Sequence, residues 1–157
     1  MTILSFDPGS KVMGYALMSS ARDLIECGLL KPERTRDDAN ARIETMVAEA
    51  VRVVIAARPD RIVIEDTSGK VGARHRGNGA GLAVHGKAVG WLVGKLATTG
   101  IPLSLVSENE WTRGVQKARR QQIVAQEFRG YDPAADGGGD AADAIGLARH
   151  WFVTEGR

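Results

Sequence analysis

What most restricts the fold of this chain is a change of hydrophobic period after its first thirty residues. Up to there, apolar residues come in short runs, Ile3 to Phe6, Val12 to Met18 and Leu24 to Leu30, broken by turn chemistry such as Asp7-Pro8-Gly9-Ser10. Such runs predict three short antiparallel strands. Across residues 39 to 57 the spacing becomes helical: Ile43, Met46, Val47, Ala50, Val51, Val54 and Ile55 recur at i, i+3, i+4 and i+7, and Arg58-Pro59 closes the segment. Arg61 to Glu65, with Ile62, Val63 and Ile64 in a row, predicts a buried strand that ends on an acid. Residues 67 to 81 hold Gly, Ser, Lys and Arg with almost nothing apolar, which predicts a loop. A helix is expected from about Leu82 to Ala97, a fifth strand over Ile101 to Val106, a helix over Lys117 to Phe128 and a last helix from Gly139 to about Val153. The order βββαβαβαα predicts an α/β fold in which helices flank a five-stranded mixed sheet.

At 157 residues and 43% hydrophobic content, residues 1–157 are expected to form a single domain with a real core. The single cysteine, Cys27, excludes an intramolecular disulfide framework and leaves no thiol cluster for zinc. No basic leader and no long apolar stretch is evident, so the expected compartment is the cytoplasm, with no membrane partner. The net charge of +2 hides an uneven distribution: residues 67 to 122 carry nine Lys/Arg against two acids, a local +7 that leaves −5 elsewhere. A concentrated basic stretch suits phosphate neutralisation on a nucleic acid, or equally a solvated basic surface.

Four carboxylates stand where chemistry is suggested. Asp7 follows one apolar strand and Glu65 ends another, so the two meet if those strands are neighbours. Asp140 and Asp143 are one turn apart on the last helix, separated by alanines small enough to let that face approach a sheet. Acids packed together raise one another's pKa values unless cations compensate, and all-oxygen donors suit Mg²⁺, with Mn²⁺ as a substitute. Two such ions can activate a water and stabilise the leaving oxygen of a phosphodiester. Taken singly, each acid is more simply a turn residue or helix cap.

In combination, the motifs resemble a known family. Ile3-Leu4-Ser5-Phe6-Asp7-Pro8-Gly9-Ser10, continuing to Gly14-Tyr15, is similar to the opening motif of RuvC Holliday-junction resolvases. Ile62-Val63-Ile64-Glu65-Asp66 is similar to their second acidic strand, and Asp140-Ala141-Ala142-Asp143-Ala144-Ile145 to their terminal acidic helix. The resemblance implies an RNase H-like fold and a homodimeric, metal-dependent endonuclease acting on four-way or branched DNA. It implies Asp7, Glu65, Asp140 and Asp143 as catalytic and metal-binding residues. The segment Leu82 to Gly90 resembles the family's dimerisation helix. Two departures are a loop after Glu65 rich in glycine and basic residues, and a lysine near the active site matched only by Lys117 or by Arg119 and Arg120. A phage-type relative with relaxed branch selectivity is compatible with both. Lys70, Arg74, Arg76, Lys87, Lys117, Arg119 and Arg120 are the expected DNA-binding residues.

Asp66 and Asp136 are further acids that could support or replace a ligand. His75, His85 and His150 have no metal-like spacing. Trp91 and Trp151 fit core or interface burial, while Trp111 is left open. Three other readings stand beside the resolvase. One is a nucleotide-binding phosphotransferase using Asp7-Pro8-Gly9-Ser10-Lys11, which would need a second subdomain. The others are a nuclease acting on RNA or RNA:DNA hybrid, and a non-catalytic branched-DNA-binding module.

Overall fold

A computed structural model describes residues 1–32, 38–66 and 79–156. Five strands form one mixed sheet: β1 (Ile3–Asp7), β2 (Met13–Ser20), β3 (Asp23–Leu30), β4 (Arg61–Asp66) and β5 (Leu103–Ser107), in the order β3-β2-β1-β4-β5. The first three are antiparallel neighbours, as their turn-separated runs predict, whereas β4 pairs parallel to β1, and β5 parallel to β4. Five helices complete the described residues: α1 (Ala39–Ala57), α2 (Gly79–Ala97), α3 (Glu108–Thr112), α4 (Lys117–Glu127) and α5 (Asp140–Thr154).

Strand alternation assigns the two faces of the sheet. Leu4, Phe6, Ile62 and Ile64 pack with Ile43, Met46 and Val54 of α1 and Ala88, Leu92 and Leu96 of α2. Ile3 and Val63 pack on the other face with Ala141, Ala144, Ile145 and Ala148 of α5. Because side chains alternate along a strand, Ser5, Asp7 and Glu65 belong to the α5 face too. Ser5 is fully buried there and its hydroxyl lies 2.7 Å from the Ala144 carbonyl, tying β1 to the middle of α5. No described helix is long and apolar enough to cross a membrane.

The structure shifts most expected strand and helix ends by one to three residues and adds one element. α2 begins at Gly79 rather than Leu82, so residues 79 to 81 leave the expected loop; the rest of it, 67–78, lies outside the described residues. The fifth strand starts two residues late, at Leu103, and α4 ends at Glu127 rather than Phe128. α3 was not expected. Five residues are too few to show a helical period; what makes the turn is a capping box, in which Ser107 and Glu110 bond reciprocally at its start. α1 has the bounds its periodicity gave, with Asp38 as N-cap accepting the Asn40 N–H, and Arg58 ending it in the left-handed conformation.

Candidate active site

The register of β1 and β4 places the first two acids side by side. Phe6 lies opposite Ile64, so Asp7 and Glu65 occupy equivalent places at adjacent parallel strand ends and point to the same face. α5 starts over this edge. Its N-cap is Gly139 at φ 75°, which carries no capping side chain, so the carboxylate of Asp140 in the first turn is not spent on the cap. The cap is supplied from upstream: buried Asp136 accepts the Ala142 N–H at 2.9 Å and the Tyr131 hydroxyl at 2.8 Å through one oxygen. Asp136 is thus a support of α5, and its carboxylate bonds Tyr131 and Ala142 rather than the four acids. Asp140 and Asp143 also lie in the first turn of α5, at the positive end of the helix dipole.

Gly14 lets α5 come this close. It pairs with Asp7 across β1 and β2, and a Cβ placed on it would lie 2.0 Å from the carbonyl oxygen of Asp140. The backbone of α5 therefore rests directly on β2, and Asp140 is brought to Asp7 by contact between main chains.

Two cations of α4 stand among these acids. The Lys117 ammonium lies 2.5 Å from Asp140 Oδ1, 3.2 Å from Asp143 Oδ2 and 3.9 Å from Asp7 Oδ2. Arg120 grips Asp143 with both ends of its fork, Nε to Oδ1 at 2.7 Å and Nη2 to Oδ2 at 2.8 Å, and donates through Nη1 to the Val115 carbonyl. Burial works against the charge on Lys117, but its hydrogen bond to Asp140 and the charges on Asp7 and Asp143 outweigh it and hold its pKa above the ordinary lysine value. Two cations do not balance four carboxylates. Burial, reinforced by the charges on Glu65 and Asp143, raises the Asp7 pKa well above the usual carboxylate range. Burial also pushes Glu65 up to about 7, against the opposing hydrogen bond from Trp111.

Among the described residues no three acidic, His or Cys side chains are already drawn together as metal ligands; Lys117 and Arg120 stand between them. The donor set nevertheless fits a hard divalent cation. It consists only of carboxylate oxygens, it already surrounds one positive charge on three sides, and it retains uncompensated negative potential.

Of the expected DNA-binding residues, Lys117 and Arg120 are brought to the acids. Arg119, between them on α4, points away and bonds Gln122. Lys87 bonds Asn40 of α1, on the opposite side of the sheet. Lys70, Arg74 and Arg76, and with them His75, lie outside the described residues. One neutral partner of the acids is a residue the sequence left open: the Trp111 indole N–H donates to Glu65 Oε2 at 2.8 Å. Nothing in the sequence near Trp111 signals this, because the contact joins residues 46 positions apart.

The charge on Glu65 gives a stability signature. Its pKa is raised from 4.5 to about 7, so the fold favours the protonated form. That contribution is fully present below about pH 4.5 and is lost as pH rises through about 7. In EDTA, Glu65→Gln is expected to melt roughly 5 °C above the wild type at pH 8, for on the order of 2 kcal/mol, and together with it near pH 4. Equal melting temperatures at pH 8 would show that the burial of this carboxylate costs the fold nothing.

A sheet in which three antiparallel strands continue into two parallel ones, with an acid-bearing helix across one face, is the RNase H-like fold of RuvC-type Holliday junction resolvases. The RuvC of Thermus thermophilus, solved in complex with Holliday junction substrate, superposes with a TM-score of 0.69 at 16% identity, over 96% of this chain and 91% of that one. The yeast mitochondrial Holliday junction resolvase Ydc2 gives a TM-score of 0.61 at 16% identity, over 96% of this chain and 78% of that one. The fowlpox virus Holliday junction resolvase gives 0.62 at 14% identity, over 98% and 99% of the two chains. No protein-family model and no curated protein matches the sequence.

Proposed function

We propose that this protein is a metal-dependent endodeoxyribonuclease that resolves Holliday junctions or related branched DNA by hydrolysing phosphodiesters. The observation that carries the reading is the convergence of Asp7, Glu65, Asp140 and Asp143 at the C-terminal ends of the two central strands β1 and β4, with a cation already held among three of them, in a fold shared with junction resolvases. These four residues would hold the metal, two Mg²⁺ ions by preference or Mn²⁺ in their stead. Bound there, the metal would supply Lewis acidity for an attacking water and for the leaving 3′ oxygen. The chain contributes the rest. Asp7 and Glu65, raised in pKa, give up their protons when a cation compensates them. Arg120, fixed by three hydrogen bonds, keeps Asp143 in one orientation. Lys117, whose side chain is 41% exposed, is the cation able to leave the acids for a DNA phosphate. Lys70, Arg74 and Arg76 complete the proposed phosphate contacts.

Labelled four-way, three-way, flap, linear-duplex and RNA:DNA hybrid substrates, each with Mg²⁺, Mn²⁺ or EDTA, test the reading. Metal-dependent cutting of the branched DNA in preference to linear duplex is the expected result. Cutting confined to the hybrid would replace the DNA reading with the RNase H-type one.

A junction has two strands to cut and the described residues bring together one acidic cluster, so a two-fold dimer belongs to the proposal. The outer side of α2 supports it. A Cβ on Gly86, Gly90 or Gly94 would meet nothing within 4 Å, and Trp91 beside them is 41% exposed. Trp91→Glu is expected to convert a sedimenting dimer into a folded monomer at micromolar concentration. A wild type that sediments as a monomer and still makes paired cuts would refute the dimer.

A further inference from the structure

We infer that Trp111 is a positioning residue that sets two of the four acids at once, Glu65 through the edge of its ring and Asp143 through Arg120 on its face. The inference rests on the nuclease reading for its purpose and on the geometry of the ring for its substance.

The indole is built in from three sides. α3 follows β5 without a loop, and its capping box fixes the direction in which Trp111 leaves the backbone. Gly146 of α5 provides the space: a Cβ there would come within 2.8 Å of the ring carbon Cζ3. The ring is nearly buried, and its N–H, the positive edge of an aromatic system, donates to Glu65 Oε2 at 2.8 Å. The negative face lies under the Arg120 guanidinium, 4.8 Å from the ring centroid. That guanidinium holds both oxygens of Asp143. One side chain thus presents opposite polarity in two directions, to a carboxylate at the end of β4 and to a cation bound to a carboxylate on α5. A hydrophobic filler of the same volume would pack equally well and do neither. The polar partners of metal-binding carboxylates set their orientation, and their loss typically costs about 10- to 100-fold in metal affinity.

The test separates packing from positioning. Trp111→Phe keeps a ring face for Arg120 and deletes the N–H; Trp111→Leu deletes both. Mn²⁺ binding measured calorimetrically without DNA is expected to weaken roughly 10-fold in Trp111→Phe and further in Trp111→Leu. Junction binding in EDTA should stay near the wild-type level in both. The Trp111 indole ¹H–¹⁵N resonance should move when Mg²⁺ is added to the wild type, and should differ between the wild type and Glu65→Gln. Trp91→Phe and Trp151→Phe complete the assignment if Trp111→Phe does not fold. Wild-type Mn²⁺ affinity in Trp111→Phe, or an indole resonance indifferent to Glu65→Gln, would overturn the positioning role. A wild type that takes up no Mn²⁺, with the resonance still sensitive to Glu65→Gln, would instead overturn the nuclease reading and leave the hydrogen bond standing without that purpose.

Discussion

Asp7→Asn is expected to lower junction cleavage in Mg²⁺ on the order of 10³-fold or more, a loss of at least ~4 kcal/mol in transition-state stabilisation, while junction binding in Ca²⁺ persists. The same size of effect is expected for Glu65→Gln, Asp140→Asn and Asp143→Asn. Their effects on stability should differ, because the four acids stand in different surroundings. Asp7 is a deeply placed carboxylate whose charge is opposed by burial, Glu65 and Asp143, so removing that charge should raise the melting temperature in EDTA. Asp143 is the partner of Arg120, whose side chain is only 12% exposed. Asp143→Asn breaks the ion pair and leaves a largely buried guanidinium without that counter-charge, so that variant should melt below the wild type. Cleavage of a labelled four-way junction, band shifts in Ca²⁺ and melting curves in EDTA read all three properties. Full activity of Asp7→Asn in Mg²⁺ would remove the assignment of this site.

The second large effect is expected at a residue without a functional group. Gly14→Ala introduces a methyl 2.0 Å from the Asp140 carbonyl oxygen and 2.3 Å from its carbonyl carbon. Both are backbone atoms of a helix held by Ser5, Asp136 and its own alanine-rich packing, so no flexible side chain can yield. Either β2 or the start of α5 must shift by more than 1 Å to restore contact distance, which is enough to separate Asp140 from Asp7. A displacement of that size at a reacting centre costs on the order of 10²-fold in rate. Overpacking of this kind also destabilises by about 1–3 kcal/mol, several degrees in a chain of this length. Gly137→Ala, with nothing within 4 Å, is the control expected to behave as wild type. If Gly14→Ala kept its activity, the close approach of α5 to β2 would not be what places the acidic pair.

Much of this architecture is legible in the sequence because it depends on local periodicity. Two-residue alternation on β1 and β4 already puts Asp7 and Glu65 on a single face once the strands are adjacent, and the Asp140 to Asp143 spacing puts that pair on one side of a helix. The helical repeat of α1 gives its bounds for the same reason. Where the period is absent or short, the reading fails in a predictable way. α3 has too few residues to repeat, and the first residues of α2 are glycine and alanine with no apolar stripe.

The chemistry of the site divides along the same line. By itself the sequence determined the identity and order of the acids and the basic character of the stretch that α4 belongs to. Only the tertiary structure decided that Lys117 and Arg120 turn inward while Arg119, between them, turns out. It also made Trp111 the partner of Glu65 and showed Gly14 to be a contact surface for Asp140. Each of these depends on how far a helix stands from the sheet and how it is rotated about its own axis, quantities set by side-chain volumes packed from distant parts of the chain. Local spacing states which residues share a face; it carries no information about what that face will meet.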